Sequence, residues 1–222
     1  EWLALRLHRE GQTHTFEDAV GLPWDPAKPL PSGTRSVDLQ NRCPFRAYAQ
    51  LGLGGDDLDI PEPGVPSDLR GMLLHAALEV LWRTLGNSHA LLDTSAERLT
   101  ALIADSVEQA ARIAFGATHE PCTPAQSREL ARTARLVRAL CEVEKQRSHF
   151  SVKATELDQT VRLGAAQLRM RIDRVDQLRA GGLAILDYKS GKRVPGGWDR
   201  ERPAHPQLVP DLAAIGGDAR RL

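Results

Sequence analysis

The sequence predicts an α/β fold in which helices come first and a small sheet follows. Three observations lead there. Through most of residues 68–148, apolar side chains recur at three- and four-residue steps, as amphipathic helices require. Between Val152 and Leu178 the period falls to two, with Leu168, Met170 and Ile172 alternating against Arg169, Arg171 and Asp173. A short, wholly apolar run from Leu183 to Leu186 then ends in Asp187-Tyr188-Lys189.

The elements follow in order. Residues 1–35 form a lead-in: Trp2, Leu3, Leu5 and Leu7 alternate as a strand would, and the Pro- and Gly-rich stretch GLPWDPAKPLPSGTR reads as a linker. A first helix is expected over Val37–Leu51, with Leu39, Phe45 and Tyr48 among its apolar members and Pro44 placed to bend or break it. After an acidic, Pro-rich loop, a long helix is expected from Asp68 to Asn87. Asp68 is placed to cap it and Gly86 to end it, and Leu74, Leu78, Leu81 and Leu85 form its buried face. Helices near Ser95–Phe115 and Pro124–Ser148 carry no chemical motif and are expected to pack. Strands are expected over Val152–Leu163, Gln167–Leu178 and Leu183–Tyr188, the last two joined through Gly181-Gly182. The apolar third strand suggests burial on both faces. His205–Ile215 fits a last helix.

Composition sets bounds. The 222 residues suit one domain, or one domain with an appendage. A chain with 41% apolar and 26% charged residues is ordinary for a globular protein. Formal net charge is zero, from 29 basic and 29 acidic residues, so bulk charge announces no nucleic-acid partner. No stretch approaches the roughly 20 apolar residues of a membrane span, and the charged start lacks a secretory h-region. The chain starts on Glu1 rather than Met, as a piece of a longer protein would. Cys43, Cys122 and Cys141 are odd in number, widely spaced and without a CxxC pair, which argues against a zinc ribbon. Free thiols in a reducing, cytoplasmic compartment are expected.

The residues that carry chemistry are Asp173 in RIDRVD and Asp187 and Lys189 in ILDYKSGK. On adjacent antiparallel strands the two aspartates can converge at one edge of the sheet. Neighbouring carboxylates repel unless something neutralises them, and a hard divalent cation does so. Asp187 and Lys189, two apart, share a strand face, so the lysine can orient or deprotonate an attacking water or offset phosphate charge. An isolated D-x-K is more often a strand-end turn residue with a solvated lysine. Context separates the two: an apolar strand runs into the motif, and an acid stands one hairpin upstream. Asp176, three beyond Asp173, falls on the opposite face and is expected to pair with Arg174 or Arg171.

In order and spacing, GMLLHAALEVLW, RIDRVDQL, ILDYKSGK and PQL, preceded by QNRCPFRAYAQ, resemble the PD-(D/E)xK nuclease superfamily in its RecB/AddB-like branch. The likeness covers roughly Ser36 to Leu212. It implies a restriction-endonuclease-like core, a small central mixed sheet flanked by helices. A nuclease domain over 36–222 would then contain a helical insertion at 95–149 and a catalytic core at 151–215. It also implies roles. His75, Asp173 and Asp187 would be metal ligands for Mg²⁺ or Mn²⁺, Lys189 the catalytic lysine, and Gln207 a residue positioning substrate or the lysine. Glu156 matches an acid often found in the first core strand, with surface exposure an equal alternative. Gly71 would let the helix approach the sheet. The implied activity is DNA hydrolysis in repair or recombination, with DNA as partner, no membrane, and a helicase-like region or subunit alongside.

The chain departs from that pattern twice. Asp211 stands where the family places a tyrosine after the glutamine, and Val209-Pro210 precedes it. This motivates an alternative: a catalytically weakened nuclease-fold module that binds DNA or a partner subunit. Some relatives hold an iron–sulfur cluster with one early and three late cysteines. Cys43 matches the early one, but no cysteine follows Cys141, so no cluster is expected and Cys43 should be a packed thiol beside Pro44 and Phe45.

Overall fold

A computed structural model describes residues 25, 27–55, 63–116 and 123–190. Gln207, Asp211, Cys122 and the expected helix at 205–215 lie outside them. The described elements run α1 (Thr34–Arg42), α2 (Pro44–Ala47) with a π-helical turn (Tyr48–Gly52), α3 (Ser67–Leu85), α4 (Ser88–Asp93), α5 (Ala96–Phe115), α6 (Pro124–Glu144), β1 (Phe150–Leu163), β2 (Ala166–Leu178) and β3 (Leu183–Leu186). This is the expected α/β arrangement, consistent with a restriction-endonuclease-like core.

The first helix divides in two. Its chain turns extended at Cys43, the residue before Pro44, because proline disfavours helical backbone in its predecessor. Leu39 is buried as expected, but Phe45 and Tyr48 are exposed and Cys43 is only half-buried. The apolar spacing across the break therefore does not describe one face.

α3 is the core helix. Leu74, Leu78, Leu81 and Leu85 are buried, as their spacing predicts, together with Leu73, Ala77 and Trp82. Its start differs from expectation: Pro66 occupies the N-cap, and Asp68 lies in the first turn, where its charge suits the helix dipole without a capping bond. Gly86 closes the helix at φ 71°, a left-handed conformation natural to glycine. Its carbonyl accepts the Val152 N–H at 2.8 Å, tying the helix end to β1.

α5 packs along α3, and α6 touches both. Ser95 caps α5, and Thr123 with Gln126 forms a capping box on α6. α6 ends at Glu144, short of the expected Ser148.

The sheet has the order β1-β2-β3, with both pairs antiparallel. Pro29 adds an isolated parallel bridge to Gln167. β3 stops at Leu186 rather than Tyr188, and only Ala184 in it is fully buried. Its apolar character reflects half-covered positions, not burial on both faces.

Candidate metal centre

The β2–β3 ladder ends at Arg174↔Leu186, so continuing that register brings Asp173 opposite Asp187. Asp173 is buried. Its Oδ2 accepts the backbone N–H of Tyr188 at 2.6 Å, and its Oδ1 faces His75 Nδ1 at 3.3 Å. His75 arrives from α3, and its Nε2 lies 3.0 Å from the Tyr188 carbonyl. That carbonyl can only accept, so Nε2 carries the proton and Nδ1 is the atom presented to the carboxylates.

Glu156 completes the group from β1, with Oε1 3.8 Å from His75 Nδ1. It adopts φ 47°, a left-handed conformation unusual for a non-glycine residue inside a strand. Its other oxygen takes the Arg171 Nε at 2.6 Å. Surface exposure, the other reading of Glu156, does not hold: its side chain is 10% exposed. Arg171 therefore pairs with Glu156 rather than Asp176.

His75, Glu156 and Asp173 offer one ligand atom each, all within 4.8 Å of one another. Oxygen ligands of Mg²⁺ lie at about 2.1 Å, which puts ligands roughly 3 to 4.2 Å apart in an octahedron. The His75–Asp173 and His75–Glu156 separations fall in that range, so the donor set fits a small divalent cation. The carbonyl behind Nε2 adds to the fit, since metal-binding histidines commonly donate their second N–H to such a group.

Asp187 stands beside this trio rather than in it. Its Oδ1 is 2.9 Å from Lys189 Nζ. Burial pushes its carboxyl above the ordinary range, with the nearby Asp173 charge adding to the shift, and Lys189 and His75 only partly oppose it. His75 is pushed up to about 10, because Asp173 and then Glu156 hydrogen-bond its charged form against the cost of burial. The site opens into a cavity of about 520 Å³ lined by Gly71, His75, Glu79, Glu156, Arg171 and Asp173. A Cβ at Gly71 would meet only Ser190 Oγ, at 3.9 Å, so close packing does not demand glycine there.

Behind the site lies a buried ion network. Arg174, wholly inaccessible, donates to Asp176 at 2.8 and 2.7 Å, to Glu144 at 3.0 Å and to the Tyr188 hydroxyl at 3.0 Å. Its guanidinium lies 4.1 Å from the centre of the Trp82 ring. Arg147 donates to Glu144 at 2.6 Å and to Asp176 at 3.2 Å. Asp176 thus has the structural role its position predicts, with Arg174 as partner. Glu144 and Arg147 carry no sequence motif. Glu144 does leave a trace: it continues the buried stripe Thr133, Val137, Cys141 on α6, where an acid is out of place.

Two carboxylates and an imidazole converge over the middle of the central strand β2, with an acid–lysine pair just past the end of β3. This defines an α/β protein with a site suited to a divalent cation. A profile of the PD-(D/E)XK nuclease superfamily matches residues 35–215, and the chain belongs to that superfamily. A search of curated proteins found no match to the chain. No helix among the described residues is long and apolar enough to cross a membrane.

Proposed function

We propose that the chain is a Mg²⁺- or Mn²⁺-dependent deoxyribonuclease acting in DNA repair or recombination, within a larger cytoplasmic protein of helicase–nuclease type. In this reading residues 36–222 are the nuclease domain, 95–149 its helical insertion and 151–215 its catalytic core. The observation that carries the reading is the convergence of His75 Nδ1, Asp173 and Glu156 beside the Asp187–Lys189 pair.

Asp173, Glu156 and His75 would hold the ion, and Asp187 would join them from the facing strand. A bound divalent ion supplies Lewis-acid polarisation of the scissile phosphate and offsets its charge. The protein does the rest. The Tyr188 backbone fixes Asp173 on one side and His75 on the other. Asp187 holds the Lys189 ammonium, which would stabilise charge gathering on the phosphate or align the attacking water. Gln207 would position the substrate or the lysine.

The test is cleavage of single- and double-stranded DNA by the purified chain with Mg²⁺ or Mn²⁺. Lys189→Ala and Asp187→Ala should each lower turnover by about 100-fold or more. Full wild-type cleavage by either variant overturns the assignment. Asp211 in the tyrosine position favours a second reading, a DNA- or partner-binding module without turnover; binding with no cleavage at any divalent ion would support it.

A further inference from the structure

The site cavity is continuous in its lining with another. Arg171 borders both the acid-lined cavity and a second one of about 570 Å³. β2 contributes Arg169, Met170 and Arg171 to the second cavity, and the segment 29–34 forms its other wall.

Charge changes sign along one row of β2. Asp173, Arg171 and Arg169 occupy alternate positions, which share a face of a strand and lie about 6.6 Å apart per step. The intervening row, Leu168, Met170 and Ile172, is buried, whereas Arg169 and Arg171 are exposed, Arg171 by 60%. The row therefore runs from the candidate ligand outward over two guanidiniums. Asp158, across from Arg171 in the register, is the acid among the groove's lining residues, so the lining is net positive.

The wall is held in place. Leu30 donates its N–H to the Gln167 carbonyl at 2.7 Å. Gly33, at φ 54°, lies so close to the Arg169 carbonyl that a Cβ would collide with it. The groove thus exists before anything enters it, which lowers the ordering cost of binding.

We propose that this groove carries the phosphodiester backbone of a single nucleic-acid strand to the metal centre, with Arg171 and Arg169 binding successive phosphates beyond the one cut. The destination of the strand rests on the nuclease reading; the phosphate-binding row does not. Guanidinium suits the task because its planar fork matches phosphate oxygens. Arg171 is held by Glu156 at 2.6 Å, and a Glu156 carboxylate turned towards a cation releases that fork to a phosphate in the same cavity. The wall of residues 29–34 standing over the strand ribbon favours one strand over a duplex.

Fluorescence anisotropy of the full chain with a labelled single-stranded oligonucleotide, in Ca²⁺ and across a salt series, tests this. Each phosphate contact on a single strand contributes about 0.7 to the slope of log K against log salt. Arg169→Ala and Arg171→Ala should each reduce the slope by about that amount and the double variant by about twice as much, while Arg135→Ala on α6 should leave it unchanged. Unchanged slopes in Arg169→Ala and Arg171→Ala proteins that melt at the wild-type temperature overturn the proposal. So does tighter, equally arginine-dependent binding of the duplex of the same sequence. An arginine-dependent slope in a chain that cleaves nothing supports the groove and sinks the nuclease reading instead.

Discussion

Tyr188 donates its backbone N–H to Asp173 Oδ2 at 2.6 Å, so the residue inside the D-x-K string positions the acid of the neighbouring strand. The same residue's carbonyl holds His75 Nε2 at 3.0 Å. One backbone unit therefore sets two of the three candidate ligands. Asp173→Asn keeps the shape and one oxygen, but removes the charge that opposes a cation. Mn²⁺ affinity, followed by the paramagnetic resonance of free Mn²⁺, should fall by at least the 10- to 100-fold seen for groups that only support a ligand. An affinity within twofold of wild type would remove Asp173 from the site.

The protonation of His75 gives a pH signature. Without an ion, a proton on Nδ1 stands where the cation would, between Asp173 and Glu156. Its pKa is raised from 6.5 to about 10 by Asp173 first, then Glu156. A raised histidine pKa stabilises the fold fully below 6.5, and that contribution is lost as pH rises towards 10. Ion-free protein should therefore lose melting temperature between neutrality and pH 10, and His75→Gln should flatten that slope. Ion binding must displace the proton, so Mn²⁺ affinity should rise with pH over the same window. Calorimetry in buffers of different ionisation enthalpy should count about one proton released per ion near pH 7.5; no release would mean that Nδ1 is not a ligand.

The legible parts of this site were those with a period or a punctuation mark. Leu74, Leu78, Leu81 and Leu85 announced the buried face of α3, and the alternation around Ile172 announced β2. Asp173 and Asp187 converge because a hairpin register is local and follows from the Gly181-Gly182 turn. The network of Arg174, Asp176, Glu144 and Arg147 joins positions up to 32 residues apart through α6, and no local pattern encodes that pairing. Glu156 was ambiguous for a related reason. Its inward aim depends on a left-handed backbone and a register shift between Val152 and Ala154, neither of which alternation can express.

Glu156 separates stability from function. A non-glycine residue at φ 47° costs on the order of 1–3 kcal/mol, held in place by its surroundings. Glu156→Gly removes that strain and the carboxylate together. The variant should melt at or above the wild-type temperature while binding Mn²⁺ more weakly, a trade expected where strain serves a site. Glu156→Ala keeps the strain without the ligand and should melt below Glu156→Gly. If Glu156→Gly is the less stable of the two, the left-handed backbone stores no strain.

Arg174 is the strongest test of how the site is supported. Its side chain is fully buried among two carboxylates, a tyrosine hydroxyl and the faces of Trp82 and Phe150. Burial opposes its charge, yet Asp176, Tyr188 and Glu144 together hold it ionised. Arg174→Met fills similar space with no charge, leaving Asp176 and Glu144 to share Arg147 alone. Breaking one side of a buried ion network costs about 3–5 kcal/mol, and denaturant unfolding should show a loss of that size. Arg174→Met combined with Asp176→Leu leaves Glu144 paired with Arg147 and no stranded charge, and should recover more than half of it. If the double variant is no more stable than Arg174→Met, stranded charge is not the source of the loss, and the guanidinium's stacking on Trp82 is.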